Sequence, residues 1–378
     1  MKQVFFGARI FNGVDFIDDH ALITDGATIT GLVPFKERPH GLIDHDLDGG
    51  ILCPGFIDAQ INGGGGVLLN DTRSVKGISA ILEAHQTFGT THALPTLITD
   101  SKDVLLDTLA AGKAAMGLVP GYLGLHIEGP FIDPIRAGAH PREHIRAMTE
   151  ADVDLLEQGR SGVMMVTLAP NKVSSNFIRR FNKSGIIVSL GHTQATDQEA
   201  LAAIDAGATA VTHLYNAMSP LNHRAPGLVG AALADRRIIA SLIADGHHVN
   251  PTAIRVALAA KGPSGIALVS DAMPPAACGP DRFELNGRIA TRNGTQLTLP
   301  DGTLAGSAIT MLEAVRYLVL GLNIELKQAL QMATSTPAKM LRIDNKYGKL
   351  APGASASAVH LTDDLRVKGV WIDGLARI

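Results

Sequence analysis

Along the middle of the chain, short runs of consecutive apolar residues recur, each followed by a helical pattern or a glycine-rich loop. Eight are found, at 56–61, 91–96, 122–127, 163–168, 186–190, 210–212, 238–244 and 265–269. Unbroken apolar runs of this length predict strands buried on both faces of a parallel sheet. Eight such strands with crossover helices close a (β/α)8 barrel. The clearest crossover spans 196–207, with Ala200, Leu201, Ala203 and Ile204 at helical spacing and Gly207 at its end. A doubly wound open sheet is the alternative. Its dinucleotide site would need a GxGxxG loop, which the first loop, Asn62-Gly63-Gly64-Gly65-Gly66, does not supply.

The two ends of the chain alternate instead. Runs at 3–11, 20–24 and 28–33, with Asp25-Gly26 as a turn, predict a small antiparallel unit. Runs at 358–361 and 367–372 flank a polar turn at 362–364. Each end is too small to fold alone, so 1–53 and 347–378 are expected to form one β-sandwich around a barrel at 54–346. After the eighth run, an irregular stretch at 272–280 precedes a predicted hairpin at 283–299, with turns at Asn286-Gly287 and Asn293-Gly294. This insertion, about 272–305, is expected on the active-site side as a lid. Helices are predicted at 307–320, 325–333 and 337–341.

Composition narrows the function classes. With 378 residues the chain accommodates a barrel of about 250 residues and one appended domain. A net charge of −3 with 18% charged residues offers nothing for nucleic acid or an anionic membrane. Cys53 and Cys278 have no CxxC spacing and are too few for a disulfide framework, so a reducing, cytoplasmic setting is expected. The N-terminal apolar stretch is short and broken by Arg9, unlike a signal peptide, and no run has the length of a membrane span.

Chemistry concentrates at the strand ends. The fifth and sixth runs close on His192 and His213, and the third closes on Glu128 before Gly129-Pro130. Carboxyl ends of neighbouring barrel strands converge on one face. A carboxylate and two imidazoles meeting there make a catalytic zinc set with an open fourth position. The competing reading makes each histidine a satisfied structural residue and Glu128 a partner of loop amides. His126, two residues before Glu128, is expected to pack or to support the ligands. Asp271 ends the eighth run, placed to take a proton from water and return it to a leaving group; its bland role would be to cap or to orient a ligand. Gln60 and Asn62 stand where many metal-dependent hydrolases of this barrel carry His-x-His. Neutral amides bind zinc poorly, so one tightly held metal is expected.

Over nearly its whole length the chain resembles the N-acetylglucosamine-6-phosphate deacetylases of the amidohydrolase superfamily. The resemblance rests on PGFIDAQINGGGG at 54–66, GLHIEGPFI at 124–132, GAHP at 138–141, TLAP at 167–170, LGHT at 190–193, THLYNAM at 212–218, IADGHHV at 243–249, LVSDA at 268–272 and LAGS at 304–307. It implies that Glu128, His192 and His213 bind one divalent ion per subunit, zinc first, with Fe2+, Mn2+ or Co2+ as alternatives. It implies Asp271 as the acid/base. Around an amino-sugar phosphate it sets His140, Asn216, the backbone of Ala217, Arg224 and His248, with Leu304, Ala305 and Gly306 closing over it. Without the resemblance, Arg224 reads as a surface charge. In that family the phosphate-binding arginine and histidine can reach across a dimer interface, which implies a homodimer. Ser270 stands where threonine is common, and Met273-Pro274-Pro275 stiffens the loop after Asp271. The expected reaction releases acetate from N-acetylglucosamine 6-phosphate. Rival readings are the galactosamine epimer, a cyclic-amide hydrolase on the same barrel and an inactive scaffold.

Overall fold

The computed structural model describes residues 1–378. At its centre, eight strands pair in sequence order: β1 (Phe56–Ile61), β2 (Thr90–Ile98), β3 (Gly124–Glu128), β4 (Val163–Leu168), β5 (Ile187–Leu190), β6 (Ala210–Val211), β7 (Ile239–Leu242) and β8 (Ile266–Leu268). Every neighbouring pair is parallel. The sheet closes through a short seam just past β8. There the Asp271 N–H donates to the Gln60 carbonyl (3.0 Å) and the Asn62 N–H to that of Ala272 (2.9 Å). The architecture is the expected α/β barrel.

Beneath the carboxyl ends of the strands, the barrel interior carries a polar belt. His126 Nε2 meets Thr167 Oγ1 at 2.7 Å, Thr167 Oγ1 meets Thr212 Oγ1 at 2.6 Å, and Thr212 Oγ1 meets Ser189 Oγ at 2.5 Å. These buried groups satisfy one another, as buried polar atoms must. Burial pushes the His126 imidazole down to about 4, so it is neutral. His126 therefore lies in the floor of the site.

Several crossover helices start at a side-chain cap. In the helix Asp197–Asp205, Thr196 Oγ1 accepts from the Glu199 N–H (3.2 Å) while Glu199 returns a carboxylate to the Thr196 N–H (2.8 Å). The same box at Thr310 and Glu313 starts the helix Met311–Arg316, so the predicted start at 307 is corrected. Residues Leu304–Ser307 form a strand instead. It pairs with Gln296–Thr298 and bonds the seam, with the Ser307 N–H on the Asp271 carbonyl at 2.9 Å. The insertion is thus a four-stranded antiparallel sheet, Arg282–Leu285, Arg288–Asn293, Gln296–Thr298 and Leu304–Ser307, rather than a single hairpin.

The terminal segments form two further sheets. One is four-stranded, built from Thr28–Pro34, His20–Asp25, Lys2–Phe6 and Ile43–Asp46. The other is six-stranded and mixes the ends, setting Ala358–Leu361 beside Ile51–Pro54. Phe5, Ile10, Leu22, Ile29, Leu52 and Trp371 pack in one apolar cluster contributed by both sheets. The predicted run at 3–11 is two strands. Gly7, at φ 86°, breaks it, because a Cβ there would collide with the Asp46 carboxylate. No helix is long and apolar enough to cross a membrane.

One ion pair fixes the long loop after β3. Asp152 accepts from Arg146 Nη1 and Nη2 at 2.7 and 2.6 Å and from the Thr149 N–H and hydroxyl at 2.9 and 2.7 Å. Burial opposes its charge, but these bonds outweigh burial and hold the carboxyl down at about 2. Asp152→Ala is expected to cost about 1–3 kcal/mol at neutral pH. A carboxyl held low in the folded state stabilises above its unfolded value of about 4, and that contribution is lost as pH falls through the folded value. Denaturant unfolding of wild type and variant should therefore differ most near pH 7 and converge towards pH 2.

Candidate active site

Four side chains from four strand ends converge at the mouth of the barrel. Glu128 is the last residue of β3, His192 and His213 lie two residues beyond β5 and β6, and Asp271 follows β8. Three of them bend the backbone into the left-handed region, with φ of 47° at His192, 32° at His213 and 51° at Asp271. Such φ values are uncommon outside glycine, and each costs on the order of 1–3 kcal/mol. Here they turn the chain from the strand direction so that the side chains face the axis.

Glu128 Oε1 lies 3.1 Å from His213 Nε2 and 3.3 Å from His192 Nε2, and the two nitrogens are 3.0 Å apart. Ligands about 2.0–2.1 Å from a tetrahedral ion stand about 3.3 Å from one another, so this spacing fits a cation. The donor set fits as well. His192 Nδ1 donates to the Arg136 carbonyl at 2.8 Å, which leaves its Nε2 lone pair facing the cluster. Burial works against the Glu128 charge, yet the facing His192 and His213 rings keep its carboxyl well below the usual range. Burial also opposes the His213 imidazolium, but contact with Glu128 raises that group overall.

His140 also brings a ring nitrogen within 4.8 Å of the Glu128 and His192 ligand atoms, forming a potential metal cluster with them. The shorter distances favour His213 as third ligand, because His140 Nε2 is 3.8 Å from Glu128 Oε2. Hydrogen bonding decides the same way. His140 Nδ1 faces the Thr99 hydroxyl at 2.8 Å and accepts from the Thr99 N–H at 3.3 Å, so its proton sits on Nε2. Burial and the neighbouring His192 hold this imidazole near 3, hence neutral. His140 presents a donor to the site.

Asp271 is held from one side. Its Oδ1 accepts from Asn62 Nδ2 at 2.7 Å and from Gln60 Nε2 at 3.0 Å, and the same Gln60 nitrogen reaches Glu128 Oε1 at 3.1 Å. The amides that replace His-x-His are thus spent on the carboxylates. Burial and the Glu128 charge push the Asp271 carboxyl up, against the pull of His213, His248 and Asn62. Its second oxygen takes part in neither bond.

Glu128, His140, His192, His213, Asn62 and Asp271 line a cavity of about 340 Å³, within the range of small-molecule sites. Asn216, Ala217, His248, Leu304 and Gly306 line it too. His248 reaches it from its own chain, and its Nδ1 pairs with Asp245 Oδ2 at 2.6 Å, while the adjacent His247 is exposed. Two expected residues are not brought in. Strand alternation turns Ala305 away into the apolar cluster of the insertion with Leu285 and Leu297. Arg224 is exposed on the loop before the helix Gly227–Ala234, outside the cavity. Sequence reasoning passed over Arg136, Asp245 and the bridging role of Gln60; Asp245 lay within IADGHHV and Gln60 within PGFIDAQINGGGG, whereas Arg136 lay in none of the motifs.

The NagA composite domain matches residues 5–52, and the Amidohydrolase family matches residues 51–376. An N-acetylgalactosamine-6-phosphate deacetylase of Shewanella sp. (strain ANA-3) is 42% identical over 375 residues, 97% of this chain and 94% of the relative. An N-acetylglucosamine-6-phosphate deacetylase of Haemophilus influenzae is 34% identical over 386 residues, 99% of each. The crystal structure of N-acetylglucosamine-6-phosphate deacetylase from Pasteurella multocida superposes with a TM-score of 0.96 at 36% identity, covering 99% of each chain. With the matched span running through all eight barrel strands and the four strand-end side chains that converge at its mouth, the chain belongs to the amidohydrolase family.

Proposed function

We propose that the protein hydrolyses the acetamido bond of N-acetyl-D-glucosamine 6-phosphate, giving D-glucosamine 6-phosphate and acetate. One observation carries the reading: residues from deacetylase motifs far apart in sequence, Glu128, His140, His192, His213, Asn216, His248 and Asp271, line a single cavity. The names of the full-length relatives support the same substrate class. A second reading, the galactosamine epimer, is favoured by the name of the Shewanella relative.

Glu128, His192 and His213 would hold the divalent ion, zinc first, with Fe2+, Mn2+ or Co2+ as alternatives. Such an ion, when bound, lowers the pKa of water towards about 7 and polarises a carbonyl. Asp271, anchored through Oδ1, takes the proton of the attacking water on Oδ2. It then returns that proton to the departing nitrogen, because an amide anion is a very poor leaving group. The His140 Nε2–H donates to the acetyl oxygen as charge develops there. His248, Asn216 and the Ala217 backbone fix the phosphate end, so that the acetyl group lies over the ligands. Arg224, exposed in its own chain, is assigned to the cavity of a partner copy in a homodimer. A phosphorylated sugar is charged and retained inside the cell, which puts the reaction in the cytoplasm.

The test joins metal analysis to acetate release from N-acetylglucosamine and N-acetylgalactosamine, each with and without the 6-phosphate. Release from a phosphorylated sugar, with a preference of at least about 10²-fold over the free sugar, is expected. Absence of release from every N-acetyl sugar phosphate by metal-loaded protein would remove the assignment.

A further inference from the structure

We propose that Arg136 is a substrate-binding residue which contacts the phosphate from within the same chain and sets the preference for phosphorylated over free sugar. This deepens the deacetylase reading and rests on it. Among the nineteen residues that line the cavity, Arg136 is the one lysine or arginine. A dianionic phosphate taken into the cavity needs a counter-charge on its wall, and Arg136 supplies one. Arg224 lies outside this wall.

The backbone at Arg136 is firmly held. Asp133 caps its turn by accepting from the Ile135 N–H at 3.1 Å, and the Asp133 N–H donates to the His192 carbonyl at 2.9 Å. Asn171 ties the turn to the next loop, donating to Asp133 Oδ2 at 2.7 Å and accepting from the Thr193 hydroxyl at 2.6 Å. The guanidinium, by contrast, is barely used. Nη2 donates to Gln194 Oε1 at 3.1 Å, and Nε is buried with no partner. A guanidinium has five N–H groups in a fork that matches phosphate, so most of this one's donors are free for a ligand.

The location also fits. Gln194 follows Thr193, whose N–H donates to the Ala217 carbonyl at 3.0 Å. Arg136 therefore stands on the same side of the cavity as Asn216 and Ala217, the residues assigned to the phosphate end. Nearby Arg146 offers a contrast, since its fork is already occupied by Asp152.

The holoenzyme variants Arg136→Met and Arg136→Lys test the inference. Arg136→Met is expected to raise KM for the 6-phosphate by about 10- to 100-fold, with kcat and metal content much less affected. The ratio of kcat/KM between phosphorylated and free sugar should fall by a similar factor, and lysine should restore part of it. Inorganic phosphate, titrated into the holoenzyme by calorimetry, should bind Arg136→Met more weakly by a comparable factor. An unchanged KM and unchanged phosphate binding would overturn the proposal. So would a fall in kcat and metal content at constant KM, which would assign the residue to holding His192. Because phosphate binding needs no turnover, it separates failure of this inference from failure of the deacetylase reading, which wild-type acetate release decides.

Discussion

Asp271→Asn is expected to lower kcat by about 10³-fold or more while leaving fold and metal content intact. Asparagine keeps a carbonyl oxygen where Asp271 Oδ1 accepts from Gln60 and Asn62, so both bonds survive the change. The second oxygen becomes an NH2 group, which donates only and takes up no proton. The substitution also removes a buried charge beside Glu128, the second cause of the raised Asp271 carboxyl after burial itself, so no loss of stability is expected. Acetate release, elemental analysis and thermal unfolding on one sample make the comparison. Turnover within tenfold of wild type at full metal content would exclude Asp271 as proton carrier.

Removal of the metal is the second large effect. Chelation is expected to abolish acetate release, and added divalent ion to restore it. Without the ion, the His213 imidazole, drawn upward by Glu128 against burial, takes up a proton more readily than a free imidazole. Proton and cation thus compete for one site, and metal affinity should fall as pH drops through the range in which His213 titrates. Glu128→Gln removes the charged ligand and should weaken metal binding by more than about 10²-fold. Because the ion binds the folded state, that loss should also lower Tm in metal-containing buffer. Full acetate release from protein shown to be metal-free would refute the assignment of this ligand set.

The barrel was legible because its strands are buried on both faces and so read as uninterrupted apolar runs; the run at 163–168 coincides with β4 residue for residue. Glu128, His192, His213 and Asp271 were legible for a related reason, since a polar residue closing such a run has only the barrel mouth to face. Edges were less so. Ser307 was expected to start a helix and Leu304–Gly306 to be a loop closing over the substrate, and only the pairing of Leu304–Ser307 with Gln296–Thr298 and the seam decides for strand. Ala305 does not line the cavity, and period-two alternation already separates it from Leu304 and Gly306. His140 closes no strand, and what brings it to Glu128 is the distant Thr99. Arg136 was invisible because its direction depends on the tie through Asp133, Asn171 and Thr193, which no local pattern encodes.

The seam past β8 divides two capacities between different parts of the barrel. Glu128, His192 and His213, the proposed cation ligands, hang from β3, β5 and β6, inside one continuous stretch of sheet. Asp271 and its two amide anchors stand where the first and last staves meet. On the proposed assignment, a molecule with that join open would keep its ligands for the ion yet have nothing in position to carry a proton, so completing the ring is what would turn a metal carrier into a hydrolase.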